Sequence, residues 1–111
     1  MKPTVSIVRC QEYDPACLEG ALSYSLELIG GIGAYVKPNS RVLLKPNLLM
    51  AKGPECGVCT HPEVVRALIR LLKKHGCTVF LGDGPSVWGG VQDVSVVYEA
   101  SGMKKVCDEE D

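Results

Sequence analysis

The sequence predicts an α/β fold, a βαβαβα unit in three layers around a mostly parallel sheet. Two observations predict it. Short runs of β-branched or apolar residues alternate along the chain with longer amphipathic stretches, and glycine or proline separates one from the next. A strand–helix–strand order of this kind makes the strands parallel and joins them by right-handed crossovers.

The first half of the chain supplies two predicted strands and the helix between them. Residues 4–9 (TVSIVR) are rich in β-branched residues, which predicts the first strand. Asp14 followed by Pro15 is typical of a helix start, with the aspartate as N-cap. The glycines of residues 30–33 end this helix, and residues 41–44 (RVLL) predict the second strand. The residues expected on the buried helix face are Leu18, Ala21, Leu22, Ser25 and Ile29.

The second half predicts two more helices and a third strand. Thr60 as N-cap and Glu63 three residues later predict a capping box, and Gly76 ends the helix that follows. Residues 78–81 (TVFL) are apolar on both faces, as expected of a strand covered on two sides. A last helix is predicted from about residue 93 to residue 100, although the valines there also permit a strand. In the helix after Thr60, the buried stripe is predicted to be Val65, Leu68, Ile69 and Leu72, and the water-facing residues Arg66, Arg70, Lys73 and Lys74.

Residues 1–111 are expected to form a single α/β domain or a fragment of one. Three parallel strands are few for such a sheet, and its edges have no closing element. The chain ends in the acidic run of residues 107–111. The sequence therefore predicts an incomplete, amino-terminal part of a larger domain, completed by a missing carboxy-terminal part or by an oligomer partner.

Composition and charge exclude several classes of function. Apolar residues make up 46% of the chain and charged residues 23%, which is ordinary for a globular domain. The formal net charge of −1 provides no basic field for nucleic acid. No apolar run is long enough for a membrane-spanning helix, and the first residues lack the apolar region of a secretory signal. We therefore expect a cytoplasmic protein that binds neither nucleic acid nor membranes.

The chain contains six cysteines, among them the pair Cys56 and Cys59. Free thiols in a reducing compartment are the favoured interpretation, because no secretory signal indicates an oxidising one. A structural zinc site needs four ligands, and His61 follows the single pair too closely to supply the usual second half. The cysteine run of a bacterial-type iron–sulfur site is absent from the sequence. We therefore predict no metal site in these residues.

Polar side chains follow the second and third predicted strands and open the helix between them. Ligands of parallel α/β sheets bind beyond the carboxyl ends of the strands, so these side chains are expected to share one cleft. A cation together with free amides at a helix start suits a small anionic ligand such as carboxylate or phosphate. The predicted ligand-binding residues are Lys45, Asn47, Thr60 and Ser86. His61 and Asp83 are predicted to be catalytic, handling protons or a metal.

Most of these residues also have a structural interpretation. A purely structural role as a helix cap also explains Thr60, and a lone histidine such as His61 is more often structural than catalytic. The glycines and proline of residues 82–85 are also typical of a tight turn. Trp88, beside two glycines, suits either a flap or a packing anchor. Lys45 is harder to explain structurally, because a charge just past an apolar strand lies where a cleft opens.

Three motifs, in this order and spacing, resemble the amino-terminal part of a known family. They are residues 42–47 (VLLKPN), 60–65 (THPEVV) and 82–85 (GDGP). They resemble the "KPN" strand end, the "THPE" helix start and the "GDSP"-like loop of the uncharacterised family numbered 362 among the domains of unknown function. The resemblance spans nearly all of the chain.

The resemblance implies more than the residues alone. Members of that family are usually longer, and many carry ferredoxin-like iron–sulfur modules beyond this region. It therefore implies an iron–sulfur cluster in a longer form and none held by the residues of this chain. The chain departs from the family at residue 84, a glycine where serine is frequent, and at Cys56 and Cys59, where other small residues are usual.

The sequence supports hypotheses of different classes and leaves open whether the domain is an enzyme. The leading hypothesis is a redox-associated α/β domain that binds a small anionic ligand or a metal complex at the strand ends. The alternative is a non-catalytic module that docks an iron–sulfur protein or partner domain through its open sheet edge. A third is a truncated piece with no function of its own.

Overall fold

The computed structural model describes residues 1–85 and 93–111, and these form an α/β unit, as the sequence predicts. In chain order the elements are helix α1 (Pro15–Glu27), strand β1 (Arg41–Leu44), helix α2 (Pro62–Lys74), strand β2 (Thr78–Leu81), helix α3 (Val94–Ala100) and helix α4 (Met103–Glu110). Short 3₁₀ helices at Ile32–Ala34 and Pro54–Cys56 precede β1 and α2. No helix in the described ranges is long and apolar enough to cross a membrane.

The sheet consists of the second and third of the predicted strands. β1 and β2 pair in parallel, with Arg41 opposite Thr78 and Leu44 opposite Leu81. Exposed and half-buried residues alternate along both strands, which is the two-residue period of strands with one covered face. On that face Leu44, Val79 and Leu81 pack against the core. The sheet is therefore small but correctly oriented for a site at its carboxyl edge.

The opposite face of the sheet is open in the part of the chain that the structure describes. Leu43 is 66% exposed and Phe80 is 44% exposed. The guanidinium of Arg41 lies 4.9 Å from the centre of the Phe80 ring, a cation–π arrangement. β2 is therefore apolar on both faces, but the described residues cover only one of them, and the face with Phe80 is exposed.

Residues 4–9, predicted as the first strand, lie outside the sheet. They are not paired as a strand with any described residue, and Val5 and Ile7 are 77% and 90% exposed. The segment lies beside α1, where the hydroxyl oxygens of Ser6 and Ser25 are 2.7 Å apart. A β-branched run owes its sheet preference to packing against neighbouring strands, and this segment has no such neighbour among the described residues.

The start of α1 is confirmed, but its buried face is narrower than predicted. The Asp14 carboxylate accepts a hydrogen bond of 3.0 Å from the Cys17 amide, and Pro15 opens the first turn. Leu18 is the one fully buried residue of the helix. α1 packs mainly against α2, and much of its surface stays in water.

The predicted end of α2 is also confirmed. The Gly76 amide donates to the Lys73 carbonyl at 2.9 Å, and the Cys77 amide donates to the Leu72 carbonyl at 3.0 Å. These two bonds form a Schellman motif, in which the residue after the helix adopts a left-handed conformation. Gly76 does so with φ of +88°. The turn leads directly into β2.

The core lies between α2, the covered face of the sheet and the last two helices. α3 is a helix, as predicted, and Asp93 caps it by accepting a 2.9 Å hydrogen bond from the Ser95 amide. The structure adds α4, where the sequence pattern predicts an acidic tail. Met103 and Val106, three residues apart, bury one face of α4, and that spacing is the signal for it. The core consists of Leu48, Cys59, Val65, Ile69, Val97, Met103 and Val106.

Arg66, predicted to face water, is buried between α2 and α4. Its guanidinium lies 3.0 Å from Glu63, 2.6 Å from Glu109 and 2.8 Å from Glu110. A buried cation needs such partners, because an unpaired charge in a protein interior is costly. Glu109 and Glu110 of α4 therefore neutralise Arg66. The prediction that Arg66 belongs to the water-facing side of α2 is wrong.

The ion pairs continue across the helix layer. The Arg70 guanidinium lies 2.7 Å from Glu110 on α4 and 3.4 Å from Glu19 on α1, and the Lys74 ammonium lies 2.9 Å from Glu19. Hydrogen bonds from Arg70, and then from Arg66, lower the pKa of Glu110. The hydrogen bond from Lys74 lowers the pKa of Glu19. Ion pairs thus connect α2 to both α1 and α4.

Gly76→Ala is expected to destabilise the fold by about 1–2 kcal/mol, the cost of a left-handed conformation for a residue with Cβ. The cost is conformational, because an added Cβ would have no neighbour closer than 3.9 Å. The matched control is Gly20→Ala in the exposed middle of α1, which is expected to stabilise by about 0.5–1 kcal/mol. Urea unfolding of both variants measures the two free energies. If both variants changed the free energy of unfolding by the same amount and in the same direction, the left-handed conformation of Gly76 would not be the cause.

Acidification is expected to weaken the helix layer through Glu110. The folded pKa of this carboxylate lies below its ordinary value of 4.5, so it stabilises the fold at higher pH. That stability is lost as the pH falls through the folded pKa. The free energy of unfolding of the native chain minus that of Glu110→Gln should therefore shrink from neutral pH into the acid range. If the difference between the two free energies of unfolding did not change with pH, the ion pairs of Glu110 with Arg66 and Arg70 would not stabilise the fold.

Candidate functional site

Lys45 and Asp83 meet at the carboxyl ends of the two strands. The Lys45 ammonium lies 2.8 Å from Asp83 Oδ1, and the two side chains are 74% and 10% exposed. Lys45 follows β1 and Asp83 follows β2, so their meeting is a direct result of parallel pairing. The prediction that these two residues converge on one edge of the sheet is therefore confirmed by geometry, whereas their chemical roles stay predictions.

Asp83 joins three parts of the chain through its carboxylate and its backbone. Its Oδ2 accepts a hydrogen bond of 2.9 Å from the Leu48 amide, in the loop after β1. The Asp83 amide donates to the Tyr98 hydroxyl of α3 at 3.0 Å, and that hydroxyl lies 3.2 Å from the Asp83 carbonyl. Hydrogen bonds from Lys45, from the Leu48 amide and from the Gly84 amide lower the pKa of Asp83. The carboxylate therefore stays ionised at lower pH than an ordinary aspartate does.

Asn47 and Thr60 hold the loop between β1 and α2 in place. The Asn47 amide donates to Thr60 Oγ1 at 3.0 Å, and the Thr60 amide donates to the Asn47 carbonyl at 2.9 Å. The side-chain amide of Asn47 donates to the Val58 carbonyl at 3.0 Å. Leu48 and Cys59 add an antiparallel bridge beside this pair. The structure thus brings these two predicted residues together, with their polar groups hydrogen-bonded within the loop.

The predicted capping box at the start of α2 is wrong. The N-cap is His61, whose Nδ1 accepts a hydrogen bond of 3.2 Å from the Glu63 amide. Thr60 lies one residue before this N-cap, and its hydroxyl accepts a hydrogen bond from the Asn47 amide. The Glu63 carboxylate pairs with Arg66 instead of reaching back to the cap. The helix start is therefore capped by its own histidine.

His61 lies beside an aromatic ring that the sequence gives no sign of. Its imidazole stacks on Tyr13, with 3.6 Å between ring centroids and 5° between the ring planes. Tyr13 precedes α1, and the stacking follows from the packing of α1 on α2. Because Nδ1 is occupied by the cap, a neutral ring carries its proton on Nε2. The contacts found for His61 are with Tyr13 and Glu63 rather than with Lys45 or Asp83.

Ser86 and Trp88 lie outside the described residues, so the structure bears on neither prediction. The loop of residues 82–85 that precedes them is half-buried apart from Gly84. Asp83 is the member of this loop whose contacts define the site.

Cys56 and Cys59 occupy different environments. Cys56 is exposed at the end of its 3₁₀ helix, whereas Cys59 is buried with its sulfur 3.4 Å from the Met50 carbonyl. In residues 1–85 and 93–111, no three or more His, Cys, Asp or Glu side chains are grouped to hold a metal ion. The cysteines found as free thiols are Cys10, Cys17, Cys56, Cys59, Cys77 and Cys107.

Removing the Asp83 carboxylate should cost more stability than removing its lysine partner. Asp83→Ala leaves the amide of the buried Leu48 without an acceptor, a penalty of about 1–3 kcal/mol. Lys45→Ala should cost less than about 1 kcal/mol, because an exposed ion pair is screened by water. Denaturant unfolding of both variants provides the comparison. A larger loss in Lys45→Ala would show that the ion pair, not the backbone contact, holds the loops together.

Comparison with known proteins extends these observations. A family model described as domain of unknown function, DUF362, matches residues 42–111, which include the motifs at residues 42–47, 60–65 and 82–85. The chain is 44% identical over 86 residues to the thylakoid-associated protein sll1697 of Synechocystis sp.. That match covers 78% of this chain and 27% of the relative. No solved structure matches the chain significantly. Because the family model spans more than half of the residues, the chain belongs to the DUF362 family.

Proposed function

We propose that the strand-end region binds a small anionic ligand, or a metal complex with anionic groups, and that Lys45 attracts it. The supporting observation is the position of Lys45, which is largely exposed at the end of β1 while its ammonium is held at Asp83. An ammonium group has three N–H donors, and the pairing with Asp83 leaves donors for a ligand.

Asp83 prepares Lys45 for binding instead of competing for it. The carboxylate is fixed by the Leu48 amide, so the lysine is oriented before a ligand arrives, which lowers the entropy cost of binding. The pair is close to neutral as a whole and therefore exerts little long-range attraction. Such a site favours a small ligand that contacts the ammonium directly, in the manner of a charge-assisted hydrogen bond.

The other predicted site residues take supporting roles in this proposal. Asn47 and Thr60 keep the loop that follows Lys45 in one conformation through their mutual hydrogen bonds. His61 contributes its Nε2 as a donor or proton carrier, since Nδ1 is committed to the Glu63 amide. Asp83, with its lowered pKa, serves as a permanent anion that positions the lysine.

The test is a titration of the chain with inorganic phosphate and with succinate, followed by NMR shifts of backbone amides. Lys45→Ala should weaken binding at least about tenfold, because a hydrogen bond to a charged group contributes about 1.5–3 kcal/mol. Lys45→Arg should retain binding. The matched control is Lys52→Ala, an exposed lysine of the same loop, which should bind normally. Normal binding by Lys45→Ala would overturn the proposal.

His61→Asn separates the two roles of the histidine. Asparagine is a good N-cap, so the stability of α2 should be kept, but the variant has no Nε2. Weaker anion binding at unchanged stability would support a ligand role for His61. Unchanged binding would assign it to the cap and to the stack on Tyr13 alone.

Docking of a partner domain is a second candidate function, favoured by the open face of the sheet. Leu43 and Phe80 are exposed there beside the Arg41 guanidinium, a combination typical of protein interfaces. Redox association through an iron–sulfur partner or a longer form rests on the family resemblance and stays a prediction. The anion titration separates the two candidates, because loss of Lys45 should not affect a partner bound at the open face.

The cellular location also stays a prediction. The sequence favours the cytoplasm, while the cyanobacterial relative is named as associated with thylakoids. Fractionation of cells that express the chain, with detection in the membrane and soluble fractions, measures it.

A further inference from the structure

The outer edge of β2 opens onto a groove of about 490 Å³ beside α4. All four residues of β2 line it, from both faces of the sheet, so the groove runs along the strand edge that does not pair with β1. Ile69 of α2 and the end of α4 complete its walls. An unpaired strand edge presents backbone donors and acceptors that favour pairing with another extended segment.

The chain itself carries a segment that matches this groove. Residues 4–9 are rich in β-branched residues but pair with no described strand. Val5 and Ile7 lie on one side of an extended segment and are largely exposed, whereas Ser6 and Val8 on the other side are half-buried. Within one molecule the segment is hydrogen-bonded beside α1 through Ser6 and Ser25, away from the residues that line the groove.

Charge indicates which way such a segment would lie. Asp108, Glu110 and Asp111 line the groove, where Asp108 is already paired with Lys104 and Glu110 with Arg66 and Arg70. The Lys73 ammonium contacts the Glu110 carbonyl, and Lys73 lies in the last turn of α2, which leads through Gly76 into β2. The acidic rim is therefore at the amino end of β2. A parallel strand would bring the residues before its own first strand position, with Lys2, to these carboxylates.

We propose that two copies of this chain exchange residues 4–9, and that each copy's segment adds to β2 of the other as a parallel strand. Val5 and Ile7 would enter the apolar part of the groove beside Ile69, and Lys2 would meet the acidic rim. Strand addition of this kind combines backbone pairing with side-chain pockets, and a mutual exchange makes a closed, symmetric dimer. Each sheet thereby acquires a third parallel strand formed by the segment that the sequence pattern assigns to one.

Sedimentation equilibrium of the whole chain over a wide range of concentration tests the proposal. The expected mass doubles from 11.9 kDa as the concentration rises. Val5→Asp and Ile7→Asp should each abolish the dimer, and they should fold normally because both side chains are exposed in the monomer. Val96→Asp is the matched control, a half-exposed valine on α3 that should leave the dimer intact.

Two further readouts sharpen the test. Lys2→Glu should weaken the dimer, and added salt should weaken the native dimer more than that of Lys2→Glu. Hydrogen exchange at the amides of β2 should slow on dimerisation in the native chain and not in Ile7→Asp. A monomer at every concentration would overturn the proposal, and so would a dimer that survives both Val5→Asp and Ile7→Asp. Neither outcome bears on anion binding at Lys45, which lies outside the groove.

Discussion

The hydrogen bond from the Leu48 amide to the Asp83 carboxylate is the contact on which the arrangement of the strand ends depends. Among the described residues the sheet has two strands of four residues each, so pairing between strands does little to fix the loops beyond them. Leu48 is almost completely buried, and its amide finds its acceptor in the loop after the other strand. The same aspartate holds Lys45 and contacts Tyr98. Sheet edge, loop and α3 therefore meet at one aspartate, whose carboxylate contacts the first two and whose backbone contacts α3.

Charge pairing performs a comparable task in the helix layer. The chain has 12 basic and 13 acidic residues, which gives a net charge near zero and no charged field of one sign. In the structure many of these charges are matched in pairs across helices rather than spread over the surface. Arg66 is the clearest case, because it is buried and would be costly without the glutamates of α4. The acidic end of the chain is thus a structural part of the domain.

Local patterns predicted the elements whose signals are themselves local. Asp14 with Pro15 and the glycine at residue 76 mark helix ends through contacts within four residues, and both predictions are confirmed. The capping box failed because the Thr60 hydroxyl had a competing donor, the Asn47 amide, thirteen residues earlier. His61 is the N-cap instead, and its ring stacks on Tyr13. No pattern in the printed sequence indicates either long-range contact.

The sequence by itself determined the α/β class, the order of α1, β1, α2, β2 and α3, and the strand-end position of the polar loops. Periodicity and chain direction suffice for these, since parallel strands always bring their following loops to one edge. Only the tertiary structure decided which polar atoms meet, that residues 4–9 stay outside the sheet and that one sheet face is open. These outcomes depend on packing between segments far apart in the chain, where several local preferences compete for the same donors, acceptors and apolar surface.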